Sequence, residues 1–162
     1  MYVKSLFPLF ILILLAIFPI NAATVSFLVI ETSVSEESPV YQYSGLWESG
    51  LMDVFFESGH IVSNATMMRL AYKPASGFPA EAQNDMDEAL EGGVDYFIIA
   101  LLDYNNSGES GLRAQNISLR LFKTRPLTMI YEGHYSDTRS RTTQEEYDNL
   151  REAVRGLVPR LN

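Results

Sequence analysis

The 162-residue chain has no cysteine and only two histidines, His60 and His134. The first absence excludes disulfides, thiol catalysis and thiolate metal sites. The second leaves little for imidazole chemistry. A Ser-His-Asp site needs its histidine beside the nucleophile. His60 instead follows a predicted helix end, where an imidazole caps exposed carbonyls, and His134 belongs to a strand surface. Ser49 and Ser58 each sit in Glu-Ser-Gly and lack the G-x-S-x-G elbow. No P-loop, no G-x-G-x-x-G and no paired-carboxylate signature is present, and Asp85 and Asp87 project in different directions on a helix. No catalytic set, metal or cofactor is expected. Positive charge is also scarce: 12 Lys and Arg against 20 Asp and Glu, a net charge of -8. That balance argues against nucleic acid and anionic lipid as partners. The deficit is uneven. Residues 24–111 hold two basic and 14 acidic side chains, residues 112–162 nine and six. Such asymmetry marks either a partner surface or two parts of a fold that attract each other.

What the chain does have begins with an apolar leader. Lys4 precedes a run from Leu6 to Ile20 that is interrupted only by Pro8 and Pro19, and Asn21-Ala22-Ala23 follows. A charged start, a short apolar stretch and a small-residue exit describe a secretory signal peptide. A membrane span would need about 20 apolar residues, and this run is shorter. Residues 1–22 are therefore expected to be removed, with Ala23 or Thr24 beginning the mature chain. Membrane contact is expected only through that segment before cleavage. An exported chain without cysteine must hold together by packing, which fits the bacterial periplasm or envelope.

The chain is organised around Tyr96-Phe97-Ile98-Ile99-Ala100-Leu101-Leu102, with Asp95 and Asp103 at its ends. It does not alternate, so both faces must be covered, as in the central strand of a sheet. Thr24 to Glu31 reads as another strand. Leu46, Trp47, Gly50, Leu51, Val54 and Phe55 form a helical stripe, with Ser44 as its N-cap and Gly59 as its left-handed C-cap. Gly50 in that stripe lets the helix approach the sheet. His60 to Thr66 is a mixed-polarity edge strand. Ala80 to Glu91 is a second helix, ended by Gly92-Gly93. Asn116 to Phe122 and Leu127 to Tyr135 make a hairpin, the latter with Leu127, Met129 and Tyr131 on one face. A last helix opens at Thr143, with Glu146 completing a capping box. The fold class is mixed α/β: one domain over residues 24–162 in the order β-α-β-α-β-β-β-α. Helices cover the faces of a five-stranded sheet of order 2-1-3-4-5, the first three strands being parallel.

This order resembles a family of small periplasmic αβ domains, among them the TolB amino-terminal domain, the LpoB-type activators and CsgG. The resemblance lies in the strand ending at Ile30, the helix from Leu46 to Glu57-Ser58-Gly59-His60, and the following Ile61-Val62. It implies protein-binding and assembly modules without shared catalytic residues. The chain lacks the lipid-attachment cysteine that many members carry.

In an open αβ sheet, ligands bind beyond the carboxyl ends of parallel strands at the point where crossovers diverge. Here that point lies between Glu31 and Asp103, where the polar stretches Thr32 to Tyr43 and Tyr104 to Gln115 start. Tyr41, Tyr43, Tyr104, Asn105 and Glu109 are the expected binding residues, since tyrosines on polar loops suit protein recognition. Asp103 to Gly108 has alternate oxygen ligands like a calcium loop, but Ala114 stands where the bidentate Glu is required. The expected function is a non-enzymatic envelope accessory that binds other envelope proteins. The alternative is a small hydrolase or carbohydrate-binding protein using Glu31, Asp103 or Glu109.

Overall fold

The computed structural model describes residues 22–34, 42–104, 114–136 and 142–161. Its strands are β1 (Thr24–Thr32), β2 (Ile61–Asn64), β3 (Met68–Leu70), β4 (Tyr96–Asp103), β5 (Asn116–Thr124) and β6 (Leu127–Ser136). Its helices are α1 (Gln42–Glu57), α2 (Gln83–Glu91) and α3 (Thr143–Arg155), with 3-10 turns at Ala80–Ala82 and Val158–Arg160. The sheet runs β2-β1-β4-β5-β6, with β3 also paired to β1. β1, β2, β3 and β4 are parallel, and β5 and β6 return antiparallel. The α/β class and the strand order expected from the sequence are therefore found, with one strand more.

The extra strand comes from the sheet edge. The segment from His60 to Thr66 was expected as one strand. Within it only β2 forms, ending at Asn64; after a short break β3, beyond that segment, pairs with the far end of β1 at Ile30, Glu31 and Thr32. β4 is buried along its whole length, as its unbroken apolar run requires. Alternation then sorts its residues. Ile98, Ala100 and Leu102 join Phe27 and Val29 beneath α1 and α3. Phe97, Ile99 and Leu101 join Leu28, Ile30 and Met86 on the other face, beside α2.

Helix ends follow local chemistry. After α1, the His60 amide donates to the Phe55 carbonyl and the Gly59 amide to that of Phe56, both at 3.0 Å. This is a Schellman closure, and Gly59 takes the φ of +83° that it needs. Gly93 closes α2 in the same way, at φ +78°. Two caps differ from expectation. Ser44 lies inside α1, fully buried. The capping box of α3 is Thr142 with Glu145, one residue earlier than Thr143 with Glu146. Both pairs have the right spacing, and the helix start decides between them.

The hairpin carries a register shift between Leu121 and Phe122. Met129 faces Phe122 and Tyr131 faces Leu121, so Ile130 is the additional residue. Leu127 and Met129 therefore lie on the face opposite Tyr131, not with it. Among the described residues, no helix is long and apolar enough to cross a membrane.

Candidate functional site

The parallel register sets Thr32 beside Asp103, so β1 and β4 end together. Their last residues do not converge. Glu31 neighbours Leu102 on the face beneath α1, whereas Asp103 follows Leu101 on the other face. The pleat thus sets the Glu31 and Asp103 carboxylates on opposite faces of the sheet.

Each carboxylate has its own cation. Glu31 is fully buried and accepts from Arg69 Nε at 2.9 Å. Register explains the choice, since Arg69 on β3 is the cross-strand partner of Glu31. Asp103 accepts from Ser33 Oγ at 2.9 Å and faces Lys73 Nζ at 3.4 Å. Ser33 reaches it from a left-handed backbone, φ +61°, where the chain leaves β1.

The tyrosines lie elsewhere than expected. Tyr43 begins the buried side of α1, and Tyr104 is 2% exposed in the same apolar cluster. The Tyr104 hydroxyl lies 2.7 Å from Ser44 Oγ. Packing thus claims both rings, which were expected on polar loops. The helix begins at Gln42, before the expected Ser44, and this earlier start turns Tyr43 inward. Tyr41, Asn105 and Glu109 lie outside the described residues, as do residues 105–113 of the Asp103 loop.

A cavity of about 240 Å³ opens on the Asp103 face. Two cross-strand rows line it: Leu101, Ser118 and His134, then Asp103, Asn116 and Ser136. Lys73 closes one side. Ser118 is 5% exposed, and its hydroxyl finds no hydrogen-bond partner among the described residues. One row further on, Arg120 is buried and clamps the covering chain. Its Nη1 donates to the carbonyls of Ala75 at 3.1 Å and Gly77 at 2.9 Å, and its Nε donates to Glu132 at 2.8 Å. Beneath α3, burial first and then the Tyr131 hydroxyl, 3.0 Å away, push Tyr135 up to about 12. It therefore stays a neutral phenol at physiological pH.

Of these residues the sequence pointed to Asp103. Ser118, Asn116 and Arg120 alternate with the apolar Ile117, Leu119 and Leu121, which reads as an ordinary solvent face. The counter-signal is Phe122, which continues the polar set and shows that this face is covered at one end.

No protein-family model matches the chain, and no curated protein matches it. Solved structures do. PelC from Paraburkholderia phytofirmans, a dodecamer, is similar with a TM-score of 0.50 and 13% identity, over 86% of this chain and 91% of that one. A point variant of PelC in a second crystal form gives the same TM-score and identity. The hypothetical protein CT253 from Chlamydia trachomatis has a TM-score of 0.43 and 11% identity, over 85% of this chain and 99% of its own. At such identities the PelC likeness is one of fold. These proteins are not TolB, LpoB or CsgG proteins, so that resemblance rests on element order alone.

Proposed function

We propose that this chain is an exported, non-enzymatic module of the bacterial envelope that works by protein association, starting with other copies of itself. The leader from Lys4 to Ala23 supports export. The observation that carries association is the pair of sheet edges that are open among the described residues, each with large exposed apolar side chains. At the β2 end these are Phe56, 73% exposed, and Ile61, 63% exposed. At the β6 end they are Leu127, Met129 and Ile130, at 45%, 40% and 38%. An open edge presents unpaired amides and carbonyls to any passing strand.

Charge supports a head-to-tail contact. The β2-β1-β4 part belongs to the acidic portion of the chain, and the β5-β6 part with α3 to the more basic one. The pair Arg151–Glu57 joins the two portions, whereas Arg69–Glu31, Lys73–Asp103 and Arg120–Glu132 each stay within one. Lys123 and Arg125 are exposed at the β6 end. Contacts between unlike edges propagate into rings or filaments. One protein of this fold, PelC, is a dodecamer; for this chain the reading rests on the edges themselves.

Sedimentation of the mature chain tests it across a wide range of concentration and salt. Assemblies are expected that dissociate with added salt, and the double variant Met129→Lys/Ile130→Lys should be a monomer. A wild-type monomer under every condition would remove self-association from the reading.

A further inference from the structure

We infer that the cavity beside Asp103 binds a small, neutral, hydroxyl-rich ligand, and that a single sugar ring is the class its chemistry fits. The inference does not depend on the sheet edges. It rests on a buried hydroxyl that has no partner among the described residues, in a cavity of mixed polarity.

The cavity exists because the cover of this face stops short. The chain held down by Arg120 ends over Phe122, where Phe78 stacks edge-on at 5.1 Å between centroids. Beyond that point, among the described residues, Lys73 is the side chain from outside the sheet that lines the rows through Ser118 and Asn116. Ser118 is nonetheless deeply buried, because it stands between β4 and β6 at the bottom of the opening. Buried polar atoms almost always have a partner. Among the described residues this hydroxyl has none, and the cavity it lines is where water or a ligand can supply one.

The lining decides what enters. Lys73 offers donors only, the Asp103 carboxylate acceptors only, and Ser118, Asn116, Ser136 and the His134 imidazole offer both. A phosphate or carboxylate would bring acceptors alone and would meet Asp103. An amine would bring donors alone and would meet Lys73. Either charge would also have to split the Lys73–Asp103 pair, in which the two formal charges already cancel at 3.4 Å. A hydroxyl donates and accepts at one atom, as water does. It is the group that displaces cavity water while reproducing its hydrogen bonds. Several hydroxyls on a compact frame can address both rows at once, and Leu101 supplies a small apolar patch for the frame. The volume, about 240 Å³, lies below the about 300–1,000 Å³ of clefts that enclose drug-sized ligands. That limits the occupant to a single ring, or to one residue of a chain that continues into solvent.

The test is amide-resolved NMR of the mature chain, titrated with the methyl glycosides of glucose, galactose, mannose and N-acetylglucosamine. Inorganic phosphate and putrescine serve as the charged probes. At least one glycoside should shift the amides of residues 101–103, 116–118 and 134–136 saturably. Ser118→Val should weaken that binding about five- to tenfold, the loss of one hydrogen bond, while Ser118→Thr, which keeps the hydroxyl, should retain it. Spectral dispersion of each variant reports that it is folded. The inference is overturned if no glycoside shifts these amides, if phosphate or putrescine shifts them more strongly, or if Ser118→Val binds as well as the wild type.

Discussion

Beneath α1 and α3 the apolar cluster continues from Ala23 at one end of the parallel strands to Tyr104 at the other. On the opposite face it stops at Leu101, and Asp103, Ser118 and His134 take over. Helix length explains the difference. The sixteen residues of α1 span about 24 Å and the eight of β4 about 26 Å, so one helix covers one strand. The nine residues of α2 span only about 14 Å. The rest of that face depends on the irregular chain from Tyr72 to Pro79, which Arg120 holds in place. The sealed face fixes the fold, and the half-sealed face leaves room for a ligand.

If the sealed face carries most of the stability, its largest side chains should be the costliest to remove. Phe55 is fully buried there. Phe55→Ala should cost about 3–5 kcal/mol through lost burial and a residual cavity, read as a lower midpoint in urea unfolding. The other face should answer most strongly at its clamp. Arg120→Leu leaves the Ala75 and Gly77 carbonyls without their donor and Glu132 without its cation. Glu132 is partly open to water, which limits the loss to about 2–3 kcal/mol. Proteolysis should then nick the segment between Tyr72 and Pro79 before the rest of the chain. If Arg120→Leu melts like the wild type and resists protease, packing of Phe78 alone holds the cover.

Gly50 sharpens the contrast further. The sequence suggested that it lets a helix approach the sheet. The structure shows that it meets another helix, since a Cβ at Gly50 would lie 1.8 Å from Leu150 Cδ1 on α3. Gly50→Ala should therefore destabilise by about 1–2 kcal/mol, although alanine is better than glycine in a helix by about 1 kcal/mol. Leu150→Ala should remove that penalty in the double variant, because the two sites share one contact. Additive losses would mean that Leu150 moves aside without cost.

Much of this was legible in the sequence. The unbroken apolar run at Phe97 to Leu102 located the central strand, Gly59 and Gly93 located two helix ends, and the parallel order followed from the crossovers. The candidate site was legible only in part. The strand order pointed to the gap between Glu31 and Asp103, whereas the cavity lies across β4, β5 and β6 and shares only Asp103 with it. Tyr43 and Tyr104 looked like loop side chains because the start of α1 is not marked by a clear cap. Ser118 and Arg120 looked like solvent positions because alternation reports two faces and not how far each is covered. That depends on the lengths of α1 and α2 and on the path of residues 72–79. Lys73 enters the site from an irregular segment whose course no local pattern encodes.

The smallest effect tests whether desolvation reaches the rim of the sealed face. His60 follows α1, with its ring against Phe55 at 6.1 Å between centroids, and its Nδ1 accepts from the Ala23 amide at 3.2 Å. The sequence suggested that its side chain caps the helix carbonyls, but the imidazole turns back to β1 instead. Burial lowers its pKa from the ordinary 6.5. In a chain that keeps Ala23, protonation would also place a second donor against its backbone nitrogen, which already points at Nδ1. The unfolded chain therefore takes up this proton at higher pH than the folded one, and the folded state is disfavoured as protons bind. The stabilising effect of a neutral His60 is present above the unfolded pKa. It is lost progressively as pH falls from about 6.5 towards the lower folded value. His60→Gln removes this titration while an amide oxygen can still accept from Ala23. The difference in stability between wild type and His60→Gln, from urea unfolding at a series of pH values, should be flat above neutrality. Below it, the difference should move in favour of the variant. Carboxylate titrations are common to both chains and cancel in the difference. A difference that stays flat through the mildly acidic range would show that water reaches His60 freely, and that the seal of this face ends before β2.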